Sequence, residues 1–329
     1  MKKKSLLLKA LKKGYRLFFN PSFEAKGNKY LDRQEANDKI YDLLINDKPC
    51  MIARFGTTEI GILTNYLSVH SKEHFLQVCK KYITDSMGLP WWDKLYLEKC
   101  KWASGIFPQT IETLENFSKR YFEDIPEIDL LGSFNYTEKY MPLRNDVQYV
   151  HLECLYPFFV DKPWTRALKG KKILVVHPFA ETIQYQYSQR EKIFDNPNIL
   201  PEYELLTFKA VQSGAGAEVP YKDWFEALKY MENEISKINF DICILGCGAY
   251  GLPLAAHIKR LGKKAIHIGG GTQLLWGIKG KRWDNNAYIW KELPQLNTNY
   301  SLLYNEYWVR ASNHETPRNS STVEGGCYW

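Results

Sequence analysis

The stretch from Phe240 to Gly271, FDICILGCGAYGLPLAAHIKRLGKKAIHIGGG, constrains this chain more than any other. Phe240 to Leu245 is a short apolar run of the length of a fully buried strand. Gly246, Gly248 and Gly251 follow in a G-x-G-x-x-G spacing. A helical pattern opens behind them, with Leu252, Ala255, Ala256, Ile258 and Leu261 on one broad face. Pro253 sits in the first turn, where a missing N–H does no harm, and Gly262 stands where a helix stops. Ala265 to Ile268 is a second short strand. The pattern predicts a parallel, right-handed β–α–β unit.

Glycines at this spacing let a phosphate approach the N–H groups of a helix start. They also permit close helix–strand packing, and the spacing alone leaves both readings open. A nicotinamide dinucleotide site would add an acid at the end of the second strand. None occurs between Leu252 and Trp283, whereas Lys259, Arg260, Lys263, Lys264, Lys279, Lys281 and Arg282 do. Phosphate fits this stretch; a nicotinamide cofactor fits it poorly.

The other strand–turn junctions complete an α/β pattern. Cys50 to Phe55 is an apolar strand carrying Arg54, followed by Gly56, Thr57, Thr58 and Glu59 at the start of a helix. Thr57 and Glu59 suit a helix start on structural grounds alone. A charge at the end of an apolar strand needs a partner or a ligand, which singles out Arg54. Ile128–Leu131, Val147–Leu152, Ile173–Val176 and Glu204–Phe208 read as further strands. His177 and Glu181 follow the third of these, at the carboxyl end where open α/β sheets bind ligands. Ser213 to Ala217 forms a flexible loop at the same edge. A short helix from Thr272 to Ile278, behind Gly269, Gly270 and Gly271, offers a second anion site beside Lys279, Lys281 and Arg282. The expected fold is a Rossmann-like α/β domain, a mostly parallel sheet flanked by helices. A helical insertion falls at about residues 70–125. The divisions are a basic segment at 1–30, the domain at 31–290 and a tail packed on it at 291–329.

Composition restricts partners. With 45% hydrophobic residues among 329, the chain can bury a sizeable core. Its net charge of +7 is local: residues 1–19 hold seven Lys and Arg and no acid, and the remaining basic residues balance the 37 Asp and Glu. A neutral body argues against nucleic acid as the main partner. In the N-terminal segment Leu7, Leu8, Leu11, Tyr15, Phe18 and Phe19 form one stripe, with Lys9, Lys13 and Arg16 opposite. This predicts either a docked helix with a solvated lysine face or a helix lying on an anionic membrane. No apolar run reaches spanning length. Seven scattered cysteines without a C-x-x-C pair suit buried, reduced thiols and a cytoplasmic setting.

Two segments together resemble a family. Ile52-Ala53-Arg54-Phe55-Gly56-Thr57-Thr58-Glu59 is similar to the N-terminal motif of GT-D-type bacterial glycosyltransferases, Arg–aromatic–Gly–Asp–Gly–Glu. Phe240–Trp283, with GCGAYG, HIGGGTQ and GIKGKRW, resembles the C-terminal half of the same proteins, and the likeness spans roughly residues 35–285. The resemblance implies a single α/β domain that moves a sugar from a nucleotide-sugar donor. Its acidic pair implies a divalent metal, manganese or magnesium, on the donor diphosphate. Here Thr57 stands in place of the Asp and Thr58 in place of the second Gly, leaving Glu59 as the one acidic ligand. A hydroxyl is the weaker ligand for a hard cation.

The residues themselves suit that chemistry. Expelling a nucleoside diphosphate needs stabilised charge on the leaving oxygens, and a metal, an Arg/Lys clamp or helix starts supply it. The expected catalytic residues are Glu59, Arg54 and Glu181, with Glu59 or Glu181 as the acceptor base. Gly56, Thr57, Thr58, His177, Gly246, Gly248, Gly251, Gly270, Lys279 and Arg282 are expected to bind substrate. The expected function is sugar transfer to a glycan or lipid-linked acceptor in surface or capsular polysaccharide assembly. The protein would be cytoplasmic, with residues 1–19 peripheral on the inner face of the membrane. Two alternatives are a non-catalytic nucleotide-sugar-binding protein and, opposed by the missing acid, a nucleotide-cofactor oxidoreductase.

Overall fold

The computed structural model describes residues 2–19, 24–284, 293–323 and 325–329. The boundary expected at residues 290–291 lies outside them. Seven short apolar runs form the strands of one sheet: β1 (Cys50–Ala53), β2 (Leu130–Ser133), β3 (Gln148–His151), β4 (Lys172–His177), β5 (Glu204–Lys209), β6 (Ile242–Leu245) and β7 (Lys264–His267). Their spatial order is β3-β2-β1-β7-β6-β4-β5 and every pairing is parallel. The fold is Rossmann-like α/β.

Strand residues alternate between two cores, as the period of two requires. Ile173, Val175, Ile242 and Ile244 face one; Leu174, Val176, Cys243 and Leu245 face the other. Helices cover both faces. On the second lie α3 (Thr57–Val69), α6 (Ile111–Asp124), α8 (Trp224–Ser236) and α9 (Gly251–Arg260). On the first lie α2 (Arg33–Ile45), α7 (Ala180–Ser188) and the C-terminal segment through Tyr300 and Trp308. The edge strand β5 is only half buried. The helical insertion is present between α3 and β2, and consists of α4 (Phe75–Ile83), α5 (Lys94–Lys99), a π turn and α6.

The β6–α9–β7 unit forms as its pattern predicts, with Ile242 opposite Lys264 and Leu245 opposite His267. Its glycines divide by task. A Cβ on Gly251 would fall 2.1 Å from His267 Cε1, so that glycine serves close packing. Gly248 has φ +58° and open space beside it, so it serves the left-handed turn. The expected Thr272–Ile278 helix is instead a 3₁₀ run, Gly269–Trp276. Three consecutive glycines are poor helix formers, and left-handed Gly277 ends the run at φ +63°.

The N-terminal helix α1 (Lys2–Phe19) packs along α4. Leu8 is buried with Cys79, Tyr82 and Leu89. Lys12 and Arg16, one and two turns on, both pair with the buried carboxylate of Asp85. Lys12 and Arg16 therefore turn toward the domain, while Lys9 and Lys13 are exposed on the docked helix. All seven cysteines are free and buried.

Candidate functional site

A cleft of about 350 Å³ opens at the carboxyl edge of the sheet, over the ends of β1, β4, β6 and β7. Chain order reverses among these strands, because β1 leads outward to β2 and β4 to β5 while β6 and β7 fill the centre. Ligands of open α/β sheets bind at such reversals.

The turn after β1 contributes Arg54, Gly56, Thr57, Thr58 and Glu59 to the cleft lining. Arg54 Nε is buried and has no hydrogen-bond partner among the described residues. Its guanidinium lies over the Phe134 ring, 5.2 Å from the centre, a contact that attracts the cation without neutralising it. An unpaired buried donor is costly, so this is where an anionic ligand would gain most. Glu59 is buried in the first turn of α3, and its carboxylate folds back over the backbone of Gly56. A Cβ on Gly56 would come within 1.7 Å of Glu59 Oε2, so only glycine admits this arrangement. Burial pushes the Glu59 carboxyl up, partly offset by its own backbone N–H and by the charge of Arg54. A carboxyl raised in this way is a stronger base than an exposed one. The N-cap of α3 is Gly56, which has no side chain to satisfy the first N–H groups.

A second carboxyl stands near Arg54. Glu138 is buried, and Ser133 Oγ with the N–H groups of Phe134 (3.1 Å) and Asn135 (3.0 Å) donate to it. Burial nonetheless pushes it up to about 7. Neither Glu59 nor Glu138 pairs directly with Arg54 among the described contacts, so the cation remains available to the cleft.

His177, Gly246, Gly248, Gly270 and Arg282 also line the cleft, as expected. His177 is a fixed neutral ring: burial pushes its pKa down to about 3, and Nδ1 accepts from Phe179 N at 3.0 Å. Arg282 stacks on Tyr328, 4.9 Å from the ring centre, and donates to its hydroxyl at 3.3 Å.

Three expected site residues are not brought to the cleft. Gly251 packs against His267, as described. Lys279 lies over the Tyr304 ring at 5.2 Å. Glu181 is exposed and pairs with Lys209 at 3.1 Å. Beside it the buried carboxylate of Glu315 accepts from Glu181 N (2.8 Å), Thr182 N (3.2 Å) and Thr182 Oγ1. The start of α7 is thus occupied by a carboxylate of the protein itself.

Other lining residues carry little sequence signal. Tyr328 and Trp329 come from the aperiodic tail, and Gln273 holds that tail by donating to Tyr328 O at 3.0 Å. Tyr121 comes from α6 and donates to Ala249 O at 2.7 Å. Ser213, in a loop already noted at this edge, hydrogen-bonds to Tyr250 at 2.9 Å. His267 ends a strand, and burial and Arg54 push its pKa down to about 3.

A resident divalent ion does not fit this donor set. The turn offers one carboxylate, raised in pKa, and two hydroxyls, where a hard cation takes six or more oxygens of which several are usually carboxylate, carbonyl or phosphate. No cluster of three His, Cys, Asp or Glu suited to a metal occurs among the described residues. Comparisons with family models, with curated proteins and with solved structures found no match.

Proposed function

We propose that the chain is a glycosyltransferase that uses a nucleotide-sugar donor, with the turn from Arg54 to Glu59 as its reaction centre. What carries this reading is Arg54, a cleft residue whose buried Nε has no partner among the described residues, beside a carboxyl raised by burial. The donor diphosphate would lie against Arg54, the start of α3 and the Gly246–Gly248 turn, with Arg282 on the tail side. Positive charge and free N–H groups there would stabilise the departing diphosphate. Glu59 would take the proton of the acceptor hydroxyl as its oxygen attacks the anomeric carbon. The bond between that carbon and the phosphate oxygen then breaks, and the nucleoside diphosphate leaves with the electron pair. The likeness of the Arg54–Glu59 and Phe240–Trp283 segments to GT-D-type enzymes agrees with this assignment. An acceptor on a glycan or lipid carrier, in surface or capsular polysaccharide assembly, is the class that resemblance suggests.

The test is release of nucleoside diphosphate from a panel of nucleotide sugars, with and without candidate acceptors. Turnover that Glu59→Gln removes supports the reading. Donor binding without turnover would favour a non-catalytic nucleotide-sugar-binding protein.

A further inference from the structure

We infer that α1 is a mount for an anionic lipid surface, held with its apolar side outward by ion pairs to the domain. This goes beyond the reading of the cleft and does not rest on it. The docked face is set by Leu8, Lys12 and Arg16, spaced four apart along one side of the helix. Arg16 Nη2 donates to Asp85 Oδ1 at 2.7 Å, Lys12 Nζ lies 2.5 Å from the same carboxylate, and Lys9 pairs with Asp93 at 3.3 Å. Asp85 is itself fixed, since Tyr136 Oη donates to its carbonyl at 2.6 Å.

That choice of face leaves the apolar stripe without cover. Leu7 is 61% exposed, Leu11 47% and Phe18 86%, and the three share one row of the helix. Leu6 and Leu17, also exposed, form the adjoining row with Lys13 between them. A helix that merely closed the core would bury these residues. Charge selects the occupant. The segment carries the whole net charge of +7 and no acid, while the rest of the chain is neutral. A second copy meeting this face would set like charges together, which disfavours association. An anionic bilayer complements both features: the apolar rows enter the headgroup boundary, and Lys13, exposed between Leu6 and Leu17, meets lipid phosphates.

The experiment is co-sedimentation of the full chain with vesicles of phosphatidylcholine alone and of phosphatidylcholine mixed with phosphatidylglycerol. The wild type should bind the anionic vesicles at least about tenfold more tightly than the neutral ones, and less tightly as salt rises. The triple variant Leu7→Ser, Leu11→Ser, Phe18→Ser should lose at least about tenfold with its melting temperature unchanged, because these side chains are exposed. Lys13→Glu should lose about fivefold or more. Equal binding by the triple variant would overturn the proposal, as would no binding by the wild type. So would a wild-type dimer in sedimentation velocity that the triple variant abolishes without any vesicle binding.

Discussion

Helices α3 and α7 both begin where a parallel strand ends at the carboxyl edge of one sheet, yet their first turns are filled differently. At α7 the leading N–H groups of Glu181 and Thr182 donate to Glu315, a carboxylate brought from the C-terminal segment. At α3 the N-cap is a glycine with no side chain, and Arg54, two residues before it, has a buried nitrogen without a partner among the described residues. The same electrostatics act at both. A helix start attracts negative charge; at α7 the C-terminal segment supplies it through Glu315, whereas at α3, among the described residues, Glu59 meets only its own N–H and the turn lines a cleft. A helix start is a candidate site where it lines a cleft beside an unpaired cation, and not merely because it is a helix start.

The largest expected effect falls at the open helix. Glu59→Gln keeps size and shape but removes the base, so turnover should fall about 10²–10⁴-fold, with stability nearly unchanged. Steady-state kinetics with the active donor checks this. Retained turnover would reduce Glu59 to a helix-start residue. At the sealed helix the effect is on stability. Glu315→Ala deletes a buried charged acceptor and strands its donors, which should destabilise by about 2–3 kcal/mol in denaturant unfolding.

The pH dependence of stability sharpens the contrast near Arg54. The folded pKa of Glu138, about 7, lies above its ordinary value of 4.5. The native state therefore holds a proton in that window that the unfolded state has lost. This contribution favours folding at the lower pH, declines as pH rises toward about 7 and is flat beyond it. The wild type should lose more stability than Glu138→Gln does between about pH 5 and pH 8. The smallest effect is at Gly248, where φ is +58° and a Cβ meets no atom within 4 Å. Gly248→Ala should cost about 1–2 kcal/mol through backbone conformation alone.

The sheet was legible because each strand is an apolar run ended by glycine, proline or a charge, and buried strands have little other way to be written. Arg54 was legible for a related reason, since a cation closing such a run has no apolar explanation. Gly251 shows the limit of spacing: the G-x-G-x-x-G pattern is present, but its last glycine yields space to His267, a residue sixteen positions away. Glu315 shows another limit. It sits in an aperiodic segment 134 residues from Glu181, and only the assembled fold brings its carboxylate to α7. The outward face of α1 was hidden for a similar reason. Its periodicity fixes which residues share a side, while Asp85 and Asp93 decide which side turns inward.

The most direct test of the open-versus-sealed distinction is a calorimetric titration of pyrophosphate and a panel of nucleoside diphosphates into three proteins. These are the wild type, Arg54→Gln at the open helix, and Glu181→Gln at the sealed one. The account predicts that the wild type binds at least one diphosphate, that Arg54→Gln weakens it by about 10–100-fold, and that Glu181→Gln leaves it unchanged. Equal affinity in Arg54→Gln, or a loss confined to Glu181→Gln, would contradict it.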